Sequence, residues 1–431
     1  MNATLVAPLA IDAAFPQRDQ LLDPTYMGEM FAARLGLTGR LPITVCEQRR
    51  VTYSWGTSLR VCYDLQIADR RVMVAGRAFP APNGAERATA VAARAASDAI
   101  SVAGLQPILC DVAHAAVFWT SPNDRKIKHL SLLHDVPNAA ACLLGGRWAT
   151  SRIAAYAPEK SATGACLDDG GRTLAYAKVY AGCEAEQVAA LYATLASDLP
   201  SVQPALALPR VVGVLAERGL LVLEAIDGPR IADLGPGESG AGMRRLGCAL
   251  ATLHELPPPA LPSGSRLEPQ ALRAAACTLA LARPDVAEAV HALADELLAH
   301  VPSPEPVVCL HGDVHPKNAV LTAGHVTLID LDQATLGPAA VDLGSLLAAL
   351  RYRASIGALP LAEAASLMDR FLYGYSEVRA LPATATLAWY TAAALLAERA
   401  LRAVSRVRGD GLRQLADIIA DAFHVLHHGW R

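Results

Sequence analysis

The sequence predicts an α+β protein with its strands gathered before residue 228 and its long helices after residue 240. Three observations predict this order. Residues 151–228 fall into short apolar runs separated by turn formers. From residue 240 onward leucine and alanine recur at helical spacing. Between the two stretches lies Asp227-Gly228-Pro229, which ends a strand and begins no helix. A hydrophobic fraction of 53% with 18% charged residues suits packed domains rather than disorder, and 431 residues allow two or three of them.

Residues 1–145 are expected to form an N-terminal cap domain of mixed structure. Tyr53-Ser-Trp-Gly-Thr-Ser-Leu leads towards Ala75-Gly76-Arg77-Ala78-Phe79 in a strand, turn, strand, turn, strand order. A helix at about 85–101 follows, then strands around 106–119, and Ser121–Arg125 reads as a loop.

Residues 146–228 begin with a strand over 151–157. A turn is expected at 158–163, a strand at 164–167, and a tight turn at Asp168-Asp-Gly-Gly171. Thr173–Tyr180 is a third strand, a helix runs from Glu184 to about Ala196, and Leu220–Glu224 is another strand. The run from Tyr156 to Tyr180 is a faint copy of the run from Tyr53 to Phe79. Each copy has one cation inside its third strand, Arg77 in the first and Lys178 in the second.

Residues 229–431 are helical in pattern. A helix over Arg244–Leu256 is stopped by a run of prolines. Others are expected at 269–300, 361–378, 383–406 and 411–427. The longest apolar run, Leu381–Ala397, holds Pro382, three threonines and a Trp-Tyr pair, and it ends at Glu398-Arg399. That content fits a buried helix and not a membrane span.

Charge and cysteine usage narrow the class. A net charge of −3 gives no electrostatic reason to bind nucleic acid or an anionic membrane. The first residues lack the positive segment of a signal peptide. Nine cysteines are scattered without a C-x-x-C pair, which argues for reduced thiols and a cytoplasmic protein, and against zinc.

One stretch carries chemistry. His311-Gly-Asp-Val-His-Pro-Lys-Asn318 is followed by Ile329-Asp-Leu-Asp332, and both sit at the ends of short apolar runs at 306–310 and 325–329. Asp313 can accept the proton of a hydroxyl. Asn318 and Asp330 offer oxygen to Mg²⁺, a hard cation. Phosphoryl transfer asks for such parts, because it proceeds mainly by positioning and charge neutralisation. Asp and Asn also cap turns, so the argument rests on the whole arrangement.

These segments resemble the catalytic and metal segments of the aminoglycoside phosphotransferase and choline kinase group. The resemblance implies a protein-kinase-like bilobal fold: a small β-rich N-lobe at 146–228, a helical C-lobe at 229–431, and ahead of them a cap like that of maltokinase-type sugar kinases. It implies an ATP- and Mg²⁺-dependent transfer of the γ-phosphate to a hydroxyl of a small polar acceptor, a sugar or aminoglycoside-like molecule. Asp313 would be the base, Asn318 and Asp330 the metal ligands, and Asp342 a brace for the catalytic loop. His311 and His315 would be structural, and Lys317 would stabilise the transferring charge. The family often has Gly-Asp-Pro before the last motif, whereas this chain has Gly337-Pro338-Ala339.

Lys178 has apolar strand neighbours and stands 46 residues before Glu224, a spacing like that from phosphate lysine to hinge in the family. It is expected on the α- and β-phosphates, oriented by an acid at the helix start, Glu184 or Glu186, with a slight preference for Glu186. Lys160 and the amides of Ser161 and Ala162 would cover the phosphates. The Glu224 carbonyl and Ile226 amide would pair with adenine. Arg77 lies too far from the hinge in sequence to hold phosphate, and its loss is expected to be silent. Glu268, Asp285, Glu288, Asp295 and Glu296 can recognise an amine, although they are spaced like the wet face of ordinary helices. Two alternatives stand beside this reading. One is a kinase of Ser/Thr hydroxyls on a peptide, for which few residues separate Asp330 from Asp342. The other is a nucleotide-binding pseudokinase, which would be expected to lack one of the residues present here.

Overall fold

The computed structural model describes residues 9–134, 140–199, 205–322 and 324–430. The chain forms two compact units. One comprises Ile11–Gln187 and Val211–Ala225; the other comprises Met1–Ala10, Val188–Arg210 and Ile226–Arg431.

The first of these is built on two sheets. It opens with α1 (Arg18–Leu22) and α2 (Pro24–Arg34). The Asp23 carboxylate accepts the Thr25 amide at 2.8 Å and Pro24 fills the first helical position, and together they set the start of α2. Strands β1 (Ile43–Ser54), β2 (Ser58–Ile67) and β3 (Arg70–Ala78) form an antiparallel meander. After α3 (Gly84–Ala96), the hairpin β4 (Ile108–Asp111) and β5 (Ala116–Thr120) completes the order β1-β2-β3-β5-β4. Phe31 of α2 packs edge-on against Tyr63 and Phe118 with ring centres 5.4 and 5.1 Å apart, which fastens the helix to the sheet.

The second sheet repeats the first. Strands β6 (Thr150–Ala157), β7 (Ser161–Leu167) and β8 (Thr173–Tyr180) are again a meander. Helix α4 (Glu184–Asp198) follows, and the two-residue strand β9 (Leu206–Ala207) belongs to the other unit. The hairpin β10 (Val211–Leu215) and β11 (Leu220–Glu224) then gives the order β6-β7-β8-β11-β10. Meander, helix and returning hairpin thus occur twice, as the faint repeat in the sequence suggested. One boundary differs from expectation. The turn after β6 spans only Pro158–Lys160, and Ser161 and Ala162 already pair on both sides, with Ala157 and Tyr156 and with Tyr180 and Val179. Their backbones serve the ladder and are not loop amides.

The other unit is mainly helical. It contains α5 (Pro236–Glu255), α6 (Pro269–Ala282) and α7 (Ala287–Ala299). The continuous helix expected over 269–300 is broken at Pro284, which lacks the amide that a helix interior needs. Four short strands follow, β12 (Val307–Leu310), β13 (Ala319–Leu321), β14 (Val326–Leu328) and β15 (Thr335–Pro338). β12 pairs with β15, β13 with β14, and β14 with β9. The chain ends in α8 (Ala340–Ser355), α9 (Leu361–Ser376), α10 (Thr384–Ala394), a π-helical turn at Leu395–Ala400, α11 (Leu401–Ser405), α12 (Gly409–Arg413) and α13 (Leu415–His428). Residues 340–348 of α8 are all buried, so this helix is packed on every side. Among the described residues no helix is long and apolar enough to cross a membrane.

Candidate active site

The site is made where the short strands of the helical unit end. β12 delivers His311, and Gly312 then turns the chain at φ +76°. A Cβ there would lie 2.0 Å from the Gln333 carbonyl oxygen, so only glycine fits. The turn brings Asp313 to the surface with its side chain 22% exposed.

Hydrogen bonds hold this loop from several sides. The Asp342 carboxylate accepts the His311 amide at 2.7 Å and the Gly312 amide at 3.0 Å. Asp342 itself sits in the first turn of α8 and is buried. His254 of α5 lies 3.3 Å from it through Nε2 and 2.9 Å from the Tyr375 hydroxyl through Nδ1. Burial alone would push the Asp342 carboxyl up. The hydrogen bond from His254, the two neighbouring imidazoles and the His311 amide more than offset it, so the group is held below the ordinary carboxylate range. The Asp313 amide donates to His311 Nδ1 at 3.4 Å, which leaves the proton on Nε2 to reach the Ile329 carbonyl at 3.1 Å. One histidine therefore ties the Asp313 loop to the segment carrying Asp330.

The metal candidates are brought to the same loop. Asn318 is buried at the end of a 3₁₀ turn, Pro316–Asn318. Its Nδ2 donates to the Asp313 carbonyl at 3.1 Å, which leaves Oδ1 as a free-facing acceptor of the kind a hard cation takes. The Ile329 amide donates to the Asn318 carbonyl at 2.9 Å. Asp330 follows at φ +65°, a left-handed backbone that costs a non-glycine residue free energy and recurs at functional sites. Its carboxylate is exposed. No cluster of three or more His, Cys, Asp or Glu able to hold a metal occurs among the described residues. Mg²⁺ in nucleotide sites uses one or two protein oxygens plus phosphate, so Asn318 and Asp330 fit that donor count.

His315 places Nε2 3.8 Å from Asp313 Oδ2 and accepts the Lys317 amide at 3.2 Å. Burial pushes its pKa below the ordinary 6.5 although Asp313 pulls the other way, so it stands neutral beside Asp313 at neutral pH. The Lys317 side chain is exposed.

Residues 180–390 match the model of the phosphotransferase enzyme family, APH. That match covers just under half of the chain, and over it the protein is similar to phosphotransferases. No curated protein matches the chain. Among solved structures, spectinomycin phosphotransferase APH(9)-Ia, in complex with ADP and spectinomycin, is 16% identical with a TM-score of 0.45, over 64% of this chain and 92% of that one. A choline/ethanolamine kinase family protein from Mesorhizobium loti is 18% identical with a TM-score of 0.44, over 69% and 93%. A putative fructosamine-3-kinase from Thermobifida fusca is 22% identical with a TM-score of 0.44, over 67% and 100%.

The two-sheet unit holds the residues predicted for nucleotide binding, apart from Ile226. Lys178 is half-buried in β8, facing Thr163 and Leu221 across the ladder, with Nζ 5.5 Å from the Tyr180 ring centre. Glu184 and Glu186 are both exposed in the first turn of α4. Lys160 is exposed at the β6–β7 turn and the Ser161 side chain is half-buried. Glu224 is the last residue of β11. Ile226 lies just beyond it, in the other unit.

Three contributors escaped the sequence. Tyr192 of α4 accepts the Leu331 amide at 3.3 Å and so braces the segment carrying Asp330. Tyr375 backs His254. Arg399, in the π-helical turn, donates from Nη2 to the Ser345 carbonyl at 3.0 Å and to Glu398 at 3.1 Å. Ser345 is three residues beyond Asp342 on the same face of α8. Burial lowers the Arg399 pKa, Glu398 opposes this, and the charge of Asp313 also acts on it. A charged pair ending an apolar run was visible in the sequence and is the signal that marks this position.

The five acids at 265–300 are mostly engaged or simply wet. Glu268 accepts the Ser265 amide at 2.9 Å, Asp285 pairs with Arg283 at 2.5 Å, and Glu296 pairs with His427 at 2.5 Å. Glu288 and Asp295 are exposed on α7.

Proposed function

We propose that the protein is a phosphotransferase that moves the γ-phosphate of ATP, with Mg²⁺, onto a hydroxyl of a small polar acceptor such as a sugar or an aminoglycoside-like molecule. The observation that carries this reading is the loop web in which His311, Asn318 and Ile329 tie Asp313 and Asp330 to one backbone scaffold.

In this reading Asp313 orients the acceptor hydroxyl and takes its proton as the oxygen bonds to the γ-phosphorus. The bond to the β–γ bridging oxygen breaks, and ADP leaves with that electron pair. Neutral His315 adds no second charge beside the base. Asn318 Oδ1 and the Asp330 carboxylate would hold Mg²⁺, which when bound neutralises phosphate charge. Lys178 anchors the α- and β-phosphates as a point charge. Glu186 is the acid at the start of α4 that supports it. Lys160 and the Ser161 hydroxyl cover the phosphates. The Glu224 carbonyl and Ile226 amide pair with adenine, and Lys317 meets the charge in transfer.

Asp330→Asn tests the metal assignment. Removing a carboxylate from a hard-cation site removes charge that neutral oxygen does not replace. Both Mg²⁺-dependent ATP affinity and rate should fall. A nucleotide titration against Mg²⁺ that is the same in mutant and wild type counts against Asp330 and points to Asp332.

A further inference from the structure

The two sheets match position by position, and the match ends in a contact between them. In the first, Ser54 pairs with Ser58 around a turn whose middle residue, Gly56, has φ +64°. In the second, Ala157 pairs with Ser161 around a turn of the same length whose middle residue, Glu159, also has φ +64°. Tyr53 donates to the Asp12 carboxylate, and the same oxygen accepts the Gly56 amide at 2.9 Å. Tyr156 donates to the Asp124 carboxylate at 2.6 Å, and the same oxygen accepts the Glu159 amide at 3.1 Å. Each aspartate uses its other oxygen for the amide two residues on, Ala14 at 2.9 Å and Lys126 at 2.7 Å. Two residues past the serine, Arg60 faces Arg77 in one ladder and Thr163 faces Lys178 in the other. Arg77 therefore stands where Lys178 stands.

Arg77 is occupied. Its Nη1 lies 2.6 Å from Glu159 Oε2. Arg125 reaches both oxygens of the same carboxylate, at 2.5 and 3.0 Å, and Arg60 approaches to 4.0 Å. The Glu159 side chain is 4% exposed. The Nε atoms of Arg60 and Arg77 are buried without a hydrogen-bond partner. One carboxylate thus answers three guanidiniums, and withdrawing it would leave buried charge uncompensated. Glycine adopts the turn's φ freely, whereas glutamate does so at a cost, and here its carboxylate and its amide are both held.

We propose that Arg77 is a positioning residue for the nucleotide: with Arg125 it grips Glu159 and so fixes the Pro158-Glu159-Lys160 turn over the phosphates, which makes the first sheet a bracing copy of the nucleotide sheet. The Glu159 carboxylate takes on Arg77 the place that a phosphate takes on Lys178. A turn fixed beforehand need not be ordered when ATP binds, and that saving appears as affinity. The proposal rests on the nucleotide reading of the second sheet, and it revises the expectation that loss of Arg77 is silent.

MgATP binding to the full chain, followed by calorimetry, tests this without an acceptor. Arg77→Gln and Glu159→Gln should each weaken binding by about 10- to 100-fold. The double variant should be little weaker than Glu159→Gln alone, because that variant already cuts the Arg77 contact. Arg77→Lys keeps the charge and the single donor that Arg77 uses, and should recover most of the affinity. Lys178→Met separates the two claims. If Lys178→Met loses MgATP while Arg77→Gln binds like wild type, the clamp is overturned and the nucleotide reading stands. If neither variant loses MgATP, the nucleotide reading falls and the clamp falls with it. Should Arg77→Gln fail to fold, hydrogen exchange of the wild type decides. The Glu159 and Lys160 amides should be protected before MgATP is added, and a marked gain in protection on adding it overturns the proposal.

Discussion

Asp313→Ala is expected to abolish turnover and to leave MgATP binding nearly intact. In the proposed reading the base touches the acceptor hydroxyl, while the nucleotide is held by other groups, among them Lys178, Asn318 and Asp330. Removing a positioned proton acceptor should cost about 10²–10⁴-fold in rate or more, because orientation is lost with basicity. The substitution leaves the loop's supports in place, since Asn318 uses the Asp313 carbonyl and His311 uses its amide. Rate assays paired with nucleotide binding check both halves. Equal turnover in mutant and wild type removes Asp313 from the chemistry.

Asp342→Ala is expected to lose stability and activity together. The buried carboxylate accepts two consecutive backbone amides and faces His254. Cutting one partner out of such a buried set costs about 3–5 kcal/mol, because the amides and the imidazole are left without an acceptor. The sign of its pH dependence follows from the lowered pKa. A carboxyl held below its ordinary 3.8 contributes stability that is present above that value and is lost as pH falls through the folded value. Denaturant unfolding of the mutant at neutral pH should therefore show the full loss, and the gap from wild type should close only in strong acid. A mutant as stable as wild type at neutral pH would show that Asp342 is not the brace.

The loop from His311 to Asn318 was legible as one unit because it is local: a five-residue step sets Asn318 against the Asp313 carbonyl. The strand order of the second sheet was legible for a similar reason, since Asp168-Asp-Gly-Gly171 and Asp227-Gly228-Pro229 punctuate it. The helix break at Pro284 was masked by apolar spacing that continues on both sides of the proline. β13 and β15 are too short to give a period. Arg399 and Tyr192 act on residues far away in sequence, so spacing alone carries no trace of them. The repeat was visible as Tyr53 against Tyr156 and Arg77 against Lys178, but its consequence was not. Glu159 meets Arg77 across 82 residues, and only the folded ladder brings the two copies together.

The chain is proposed to carry the terminal phosphate of ATP to a hydroxyl. Incubating wild type and Asp313→Ala with MgATP and a panel of sugars, aminoglycosides and hydroxyl-bearing peptides, with mass spectrometry of the products, tests it most directly. A small polar acceptor should gain one phosphoryl group, with equimolar ADP, in the wild type alone. Phosphorylation confined to the peptides, or the same phosphorylated product from both proteins, would contradict it.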